Sequence, residues 1–167
     1  MKIVMICGSP RKKGSTSQYL LDALREMLES ENEICGYHAL DKTVVPPLLE
    51  DLQGSDALVV ACPLYVDSIP SNLLEVLTEL ENALPKTGAK TKVYLIVNNG
   101  FYDAAQNRIA IDMLWEWCDQ CGFKKGCAIG AGAGEMIKMS PLGRGPSANI
   151  GRALRRFAGS IQEGRTE

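Results

Sequence analysis

The stretch CGSPRKKGSTSQYL, residues 7–20, sets two glycines, a proline, three basic side chains and four Ser or Thr hydroxyls between an apolar run and a helical pattern. Backbone N–H groups, small hydroxyls and Arg or Lys converging on a helix N-terminus are the chemistry of an anion site. The better-known anion loops do not fit the spacing. A Walker loop needs four residues between its glycines and Lys after the second, but Gly8 and Gly14 have five residues between them and Ser15 follows. The dinucleotide pattern G-x-G-x-x-G is absent. A phosphatase loop requires Cys, five residues and then Arg, and counted from Cys7 that last position is Lys13, which lacks the planar fork of arginine. What remains is a phosphate held by hydroxyls and amides of Ser9, Ser15, Thr16 and Ser17, with Arg11 supplying charge. The plainer alternative is an N-cap in a solvated basic turn.

The elements that must position this turn follow from periodicity. Apolar runs predict strands over residues 2–7, 33–40, 57–62, 92–99 and 126–131. Helical spacing predicts helices over 15–30, near 47–54, and over 70–83, 104–121 and 146–162. The third of these starts on Pro70 and buries Leu73, Leu74, Val76, Leu77 and Leu80. The fourth closes on Gly122 at C′. Strands alternating with helices imply a doubly wound α/β fold, a five-stranded parallel sheet with helices on both faces. In the order 2-1-3-4-5, ligands bind at the strand carboxyl ends where the order reverses, between strands 1 and 3. The loops that matter are then residues 8–17, PLYVDSIPSN at 63–72 and NGFYD at 99–103.

Composition narrows the function classes. A chain of 167 residues predicts one domain over 1–167, and 46% hydrophobic with 23% charged residues is ordinary for a globular protein. A net charge of −2 argues against a nucleic-acid partner. No segment has the apolar length of a membrane span, and the short run IVMIC reads as a first strand rather than a signal, so a cytoplasmic location is expected. Six scattered cysteines then read as free thiols. Cys118 and Cys121 form a C-x-x-C at a helix C-terminus, where the dipole opposes a thiolate; packing is expected there, not redox chemistry or metal. His38 is expected to be structural. The Gly-rich loop over residues 131–145 is long enough to serve as a lid.

GSPRKKGSTS followed by CPLYVDSIPSNL resembles the flavodoxin-like NADPH-dependent FMN reductases, and especially the flavin domain of iron-sulfur flavoproteins. The resemblance runs from strand 1 through NNGFYDAAQNR to GAGAGEM after strand 5. It implies that the FMN phosphate sits in the first loop, at Ser9, Arg11, Ser15, Thr16 and Ser17. It further implies that Pro63, Leu64, Tyr65 and Val66 line the isoalloxazine, and that Asn98, Asn99, Gly100 and Phe101 border it. Tyr65 adds a flat surface with a polar tip. Two departures bear on this. ALDKTVVPPLLEDL, where iron-sulfur relatives carry a cysteine cluster, has no cysteine. Leu74, Thr78 and Glu79 replace a Lys and an Asp-Arg pair at the reductases' usual subunit contact.

The expected activity is an FMN-dependent NAD(P)H oxidoreductase, with NADH or NADPH as donor and a small quinone, azo, nitro or flavin type acceptor. No catalytic acid or base is required. The alternative is a flavodoxin-like electron carrier serving a partner protein. Exposed aromatics near the ligand loops, Tyr65, Phe101 and Tyr102, favour a homodimer or higher homo-oligomer.

Overall fold

The central apolar runs become strands because a parallel strand covered on both faces has no polar side to show. In this computed structural model, which describes residues 1–84 and 90–166, the strands are β1 (Lys2–Cys7), β2 (Glu33–His38), β3 (Ala57–Pro63), β4 (Lys92–Asn98) and β5 (Lys124–Ala131). They form one parallel sheet in the order β2-β1-β3-β4-β5. Cys7 pairs with Ala61 and Pro63 with Asn98, so β1, β3 and β4 end side by side and release their loops at one edge. The connecting helices are α1 (Thr16–Leu28), α2 (Val45–Leu52), α3 (Ser71–Ala83), α4 (Arg108–Cys121), α5 (Gly134–Ile137) and α6 (Ala148–Glu163).

Alternation along β1 divides the core. Ile3, Met5 and Cys7 face α1 and α6 with Tyr94 and Phe157, while Val4 and Ile6 face α2, α3 and α4. Tyr94 is fully buried, its ring edge-on to Phe157 with centroids 5.9 Å apart. Cys118 and Cys121 pack in the second of these faces with Leu114 and Trp117, as their helical spacing predicts. Burial pushes the Cys118 thiol up and that of Cys121 up to about 12, so both are neutral packing groups. Among the described residues no helix is long and apolar enough to cross a membrane.

Several boundaries and one core position differ from the sequence reading. Leu74 is 47% exposed, because Leu73, Val76, Leu77 and Leu80 already complete the buried stripe and Leu74 sits one position off it. Pro70 is the extended N-cap of α3 instead of its first helical residue. The fourth helix begins at Arg108: Asp103 accepts from the Ala105 N–H at 2.8 Å and holds a 3-10 turn over Ala104–Asn107. Residues 131–145 are not wholly loop, since α5 lies within them, and α6 starts at Ala148 after a 3-10 turn. β2 stops at His38, and β5 reaches back to Lys124.

The edge strand β2 is tied down by a polar cluster. Asp51 on α2 takes a hydrogen bond from the Tyr37 hydroxyl and lies 2.9 Å from Lys2 Nζ. These two partners, the tyrosine first, hold the Asp51 carboxyl down at about 2, below its unfolded value of about 3.9. A depressed carboxylate adds stability above its unfolded pKa and loses it as pH falls through the folded one. Acid denaturation of the wild type should therefore steepen between about pH 4 and pH 2, and Asp51→Asn should flatten that limb. Identical acid limbs by circular dichroism would show that the cluster does not stabilise β2.

Candidate functional site

The first turn leaves β1 at Cys7 and enters α1 at Thr16, and its path is fixed from three sides. The Gly8 N–H donates to Ala61 O at 2.7 Å. The Ser9 carbonyl accepts from His38 Nε2 at 2.7 Å, and Asn72 Nδ2 reaches the carbonyls of Gly8 (3.2 Å) and Ala39 (2.5 Å). Ser15 is the N-cap of α1, its hydroxyl accepting from the Gln18 N–H at 3.1 Å. The N-cap of the plainer alternative is present, and it does not exclude an anion. An N-cap satisfies only one of the first-turn donors, and the N–H groups of Thr16 and Ser17 have no partner within the helix, since the residues four back lie outside it.

The four hydroxyls are buried but not equivalent. Ser9 Oγ accepts from the Arg11 N–H (3.2 Å), and its own proton stays available to a ligand; that of Ser15 does so when the Cys7 thiol is the donor in the 3.9 Å contact between Cys7 Sγ and Ser15 Oγ. Thr16 Oγ1 donates to Gly134 O (3.0 Å), and Ser17 Oγ donates to Asn98 Oδ1 (2.7 Å). These two connect the turn to the opposite wall. Arg11 extends across the mouth, 61% exposed in its side chain, with its guanidinium 3.4 Å from Glu135 Oε1. Lys138 lies 3.3 Å from the other Glu135 oxygen and donates to Gly14 O at 2.8 Å.

These groups open onto a crevice of about 110 Å³ at the carboxyl ends of β1, β3 and β4. Ser9, Arg11, Ser15, Thr16, Ser17, Pro63, Leu64, Tyr65, Asn98, Asn99 and Gly100 all line it, so the fold brings together most of the residues expected there. Val66 and Phe101 do not line it: they stand 99% and 62% exposed at its rim. The reason is local. Tyr65 and Ser68 exchange backbone hydrogen bonds of 2.9 and 3.0 Å around Val66 and Asp67, whose φ angles are 50° and 56°. Two consecutive left-handed residues make a tight hairpin turn that throws Val66 outward. A valine in that conformation is strained, a feature that concentrates at functional loops.

Sequence reasoning missed four contributors. Gly134 and Glu135 close the crevice from the segment after β5, where only a glycine-rich composition stood out. His38 and Asn72 brace the turn; the end of β2 beside Ser9 follows from the strand order, but the contact itself does not. On the far wall, Asn99 Oδ1 accepts from the Phe101 N–H (2.9 Å) and its Nδ2 donates to Asp103 O (3.1 Å), fixing residues 99–103. Beneath the turn, burial raises the Cys7 thiol, more than the nearby Ser9 and Ser15 hydrogen bonds lower it, and pushes Cys62 up to about 12. Neither is poised as a nucleophile.

A five-stranded parallel sheet in the order β2-β1-β3-β4-β5, covered by helices on both faces, is the flavodoxin-like fold. The sequence makes the class more specific. Residues 1–114 match the NADPH-dependent FMN reductase family model, and the chain belongs to that family. It is accordingly an oxidoreductase. Comparison with curated proteins gives no match. Among solved structures it is similar to an apo NADH:FMN oxidoreductase, at 16% identity and TM-score 0.74, over 99% of this chain and 90% of the other. It is also similar to a flavodoxin from Pseudomonas aeruginosa (14%, TM-score 0.67, covering 97% and 99%) and an NADPH-quinone reductase from P. pentosaceus (15%, TM-score 0.68, covering 100% and 99%). Identities this low support the shared fold.

Proposed function

We propose that this crevice binds FMN and that the chain is an NAD(P)H-dependent FMN oxidoreductase of small acceptors. The observation that carries the reading is the cradle itself. Two first-turn N–H groups, the Ser9 and Ser15 hydroxyls and the Arg11 guanidinium lie at one end of a slot walled by residues 63–65 and 98–100. That set matches one phosphomonoester with a chain leading away between the walls. Once bound, the flavin supplies the redox chemistry, taking reducing equivalents from a nicotinamide and passing them to a quinone, azo, nitro or flavin type acceptor.

The chain's own residues orient and shield. Thr16 and Ser17 lock the cradle to Gly134 and Asn98, which sets the width of the slot. Tyr65 offers its ring to a planar group, and the Gly100 backbone gives close approach on the other side. Val66 and Phe101 are assigned to the outer edge of the same flavin, consistent with their place on the rim. We read residues 1–167 as one cytoplasmic domain that resembles the flavin domain of iron-sulfur flavoproteins but lacks their cluster cysteines. Tyr65, Val66, Phe101 and Tyr102 leave an apolar patch beside the slot that a second copy of the chain covers in a homodimer or higher homo-oligomer.

Flavin extracted from the purified protein should be FMN, and anaerobic NADH or NADPH should bleach its visible band directly. Recovery of FAD alone would overturn the cradle assignment. If neither nucleotide reduces the flavin while a reductase protein does, the chain is an electron carrier.

A further inference from the structure

A second and larger cavity, of about 510 Å³, lies across the segment 132–137 from the flavin crevice. The partition is thin. Ala133 faces this cavity and the next residue, Gly134, faces the crevice. Its path is held by the Ala133 N–H on Phe101 O (2.5 Å) and the Gly134 N–H on Asn99 O (2.7 Å), with Ala133 forced to a φ of 52°. Backbone held by these hydrogen bonds therefore lies between the two spaces.

The lining indicates what fits. Ile129 of β5, Ile137 and Met136 of α5, and Ile150 and Ala153 of α6 form an apolar chamber with Tyr102 at its rim. Among the described residues no Asp, Glu, Lys, Arg or His lines it, so a charged ligand would lose its hydration without a compensating partner. Besides the Tyr102 hydroxyl, the polar side chains among the described lining residues are Ser147 and Asn149. Ser147 Oγ is committed, donating to Ile137 O (3.1 Å) and sharing a hydrogen bond with Ser140 Oγ (3.0 Å). Asn149 accepts from the Ile150 N–H through its Oδ1 (2.8 Å), which leaves the amide NH2 as the donor that a ligand meets. Tyr102 and Met136 add a ring face and a thioether, both favourable to an aromatic guest. The volume lies within the range of small-molecule sites, about 300–1,000 Å³.

We propose that this cavity is a second ligand site, separate from the flavin crevice, for a small neutral ring molecule bearing a carbonyl. The probe is 2,3-dimethyl-1,4-naphthoquinone, which has no free ring position for thiols to attack, titrated into flavin-free 15N-labelled full-length protein. Binding should appear as amide shifts at Ile129, Ala133 and Ile150 with a dissociation constant on the order of 10–100 µM, and should persist within about threefold when FMN is saturating. Ala153→Phe, which fills the chamber, and Asn149→Leu, which removes the donor at an exposed position, should each weaken the probe by roughly tenfold while FMN affinity is unchanged. Because Asn149 is exposed, that variant keeps the test valid if Ala153→Phe fails to fold.

Three outcomes would overturn the proposal: no shifts up to millimolar probe, displacement of the probe by FMN, or a dimer that Ala153→Phe converts to monomer. The last would show that the chamber receives a second copy of the chain. Failure of FMN to bind would instead remove the flavin reading and leave this one standing, since the titration uses flavin-free protein.

Discussion

Arg11→Ala is expected to weaken FMN about ten- to hundredfold while leaving riboflavin within about twofold, since a charge-assisted hydrogen bond contributes roughly 1.5–3 kcal/mol. The difference between the two ligands is the phosphate, and the guanidinium of Arg11 is the cation at the cradle's mouth. Its exposure implies screening, so the penalty should shrink as salt is raised. Glu135 supplies an internal control of sign. It already draws on Arg11 at 3.4 Å and would repel a phosphate, so Glu135→Gln should tighten FMN by a few-fold, the reverse of the arginine change. An equal loss of FMN and riboflavin in Arg11→Ala, measured by fluorescence quenching, would move the phosphate elsewhere.

Gly132→Val should lower stability by about 1–3 kcal/mol, or roughly 2–12 °C in melting temperature for a chain of this size, and should weaken FMN as well. A Cβ at this position would lie 2.5 Å from the Tyr102 carbonyl oxygen and 2.9 Å from that of Phe101. Both are backbone atoms, which cannot swing aside as a side chain would. To make room, the segment after β5 must move off residues 99–103, taking with it the Ala133 and Gly134 hydrogen bonds and the Thr16 contact to Gly134. One wall of the crevice shifts in the process. Gly145→Ala is the matched control, with a Cβ in open space at a φ of 50°, and should show a small stability loss and unchanged FMN binding. Equal behaviour of the two variants by calorimetry would mean that the 132–137 segment plays no part in the crevice.

Much of the frame was legible because its causes are local or topological. Continuous apolar runs can be satisfied only by strands covered on both sides, and strands alternating with helices lead to a parallel sheet whose reversal point lies between β1 and β3. Ser15 could be placed at the start of a helix, and Gly122 at the end of another in the left-handed conformation, from residue type alone. The free thiols packed in the core were readable for the same reason: Cys118 and Cys121 continue a helical apolar stripe. The loops that line the crevice followed from the strand order.

Tertiary structure decided what depends on atoms far apart in sequence. Nothing near Thr16 or Ser17 shows that their hydroxyls are spent on Gly134 and Asn98, which leaves Ser9, and Ser15 when the Cys7 thiol donates to it, as the hydroxyl donors open to a ligand. Leu74 could not be told from Leu73 by hydrophobicity; its exposure depends on which neighbouring helix face is already covered. Val66 leaves the crevice because a hairpin turn reverses the chain there, and the turn depends on Tyr65 and Ser68 meeting in space. Glu135 enters the site only because β5 pairs with β4 and delivers the segment after it to the mouth opposite Arg11. Periodicity and residue type determine which elements form and in what order they lie, because those depend on interactions within a few residues. Which polar atoms remain free for a ligand depends on long-range hydrogen bonds, and these exist only once the sheet has set its loops side by side.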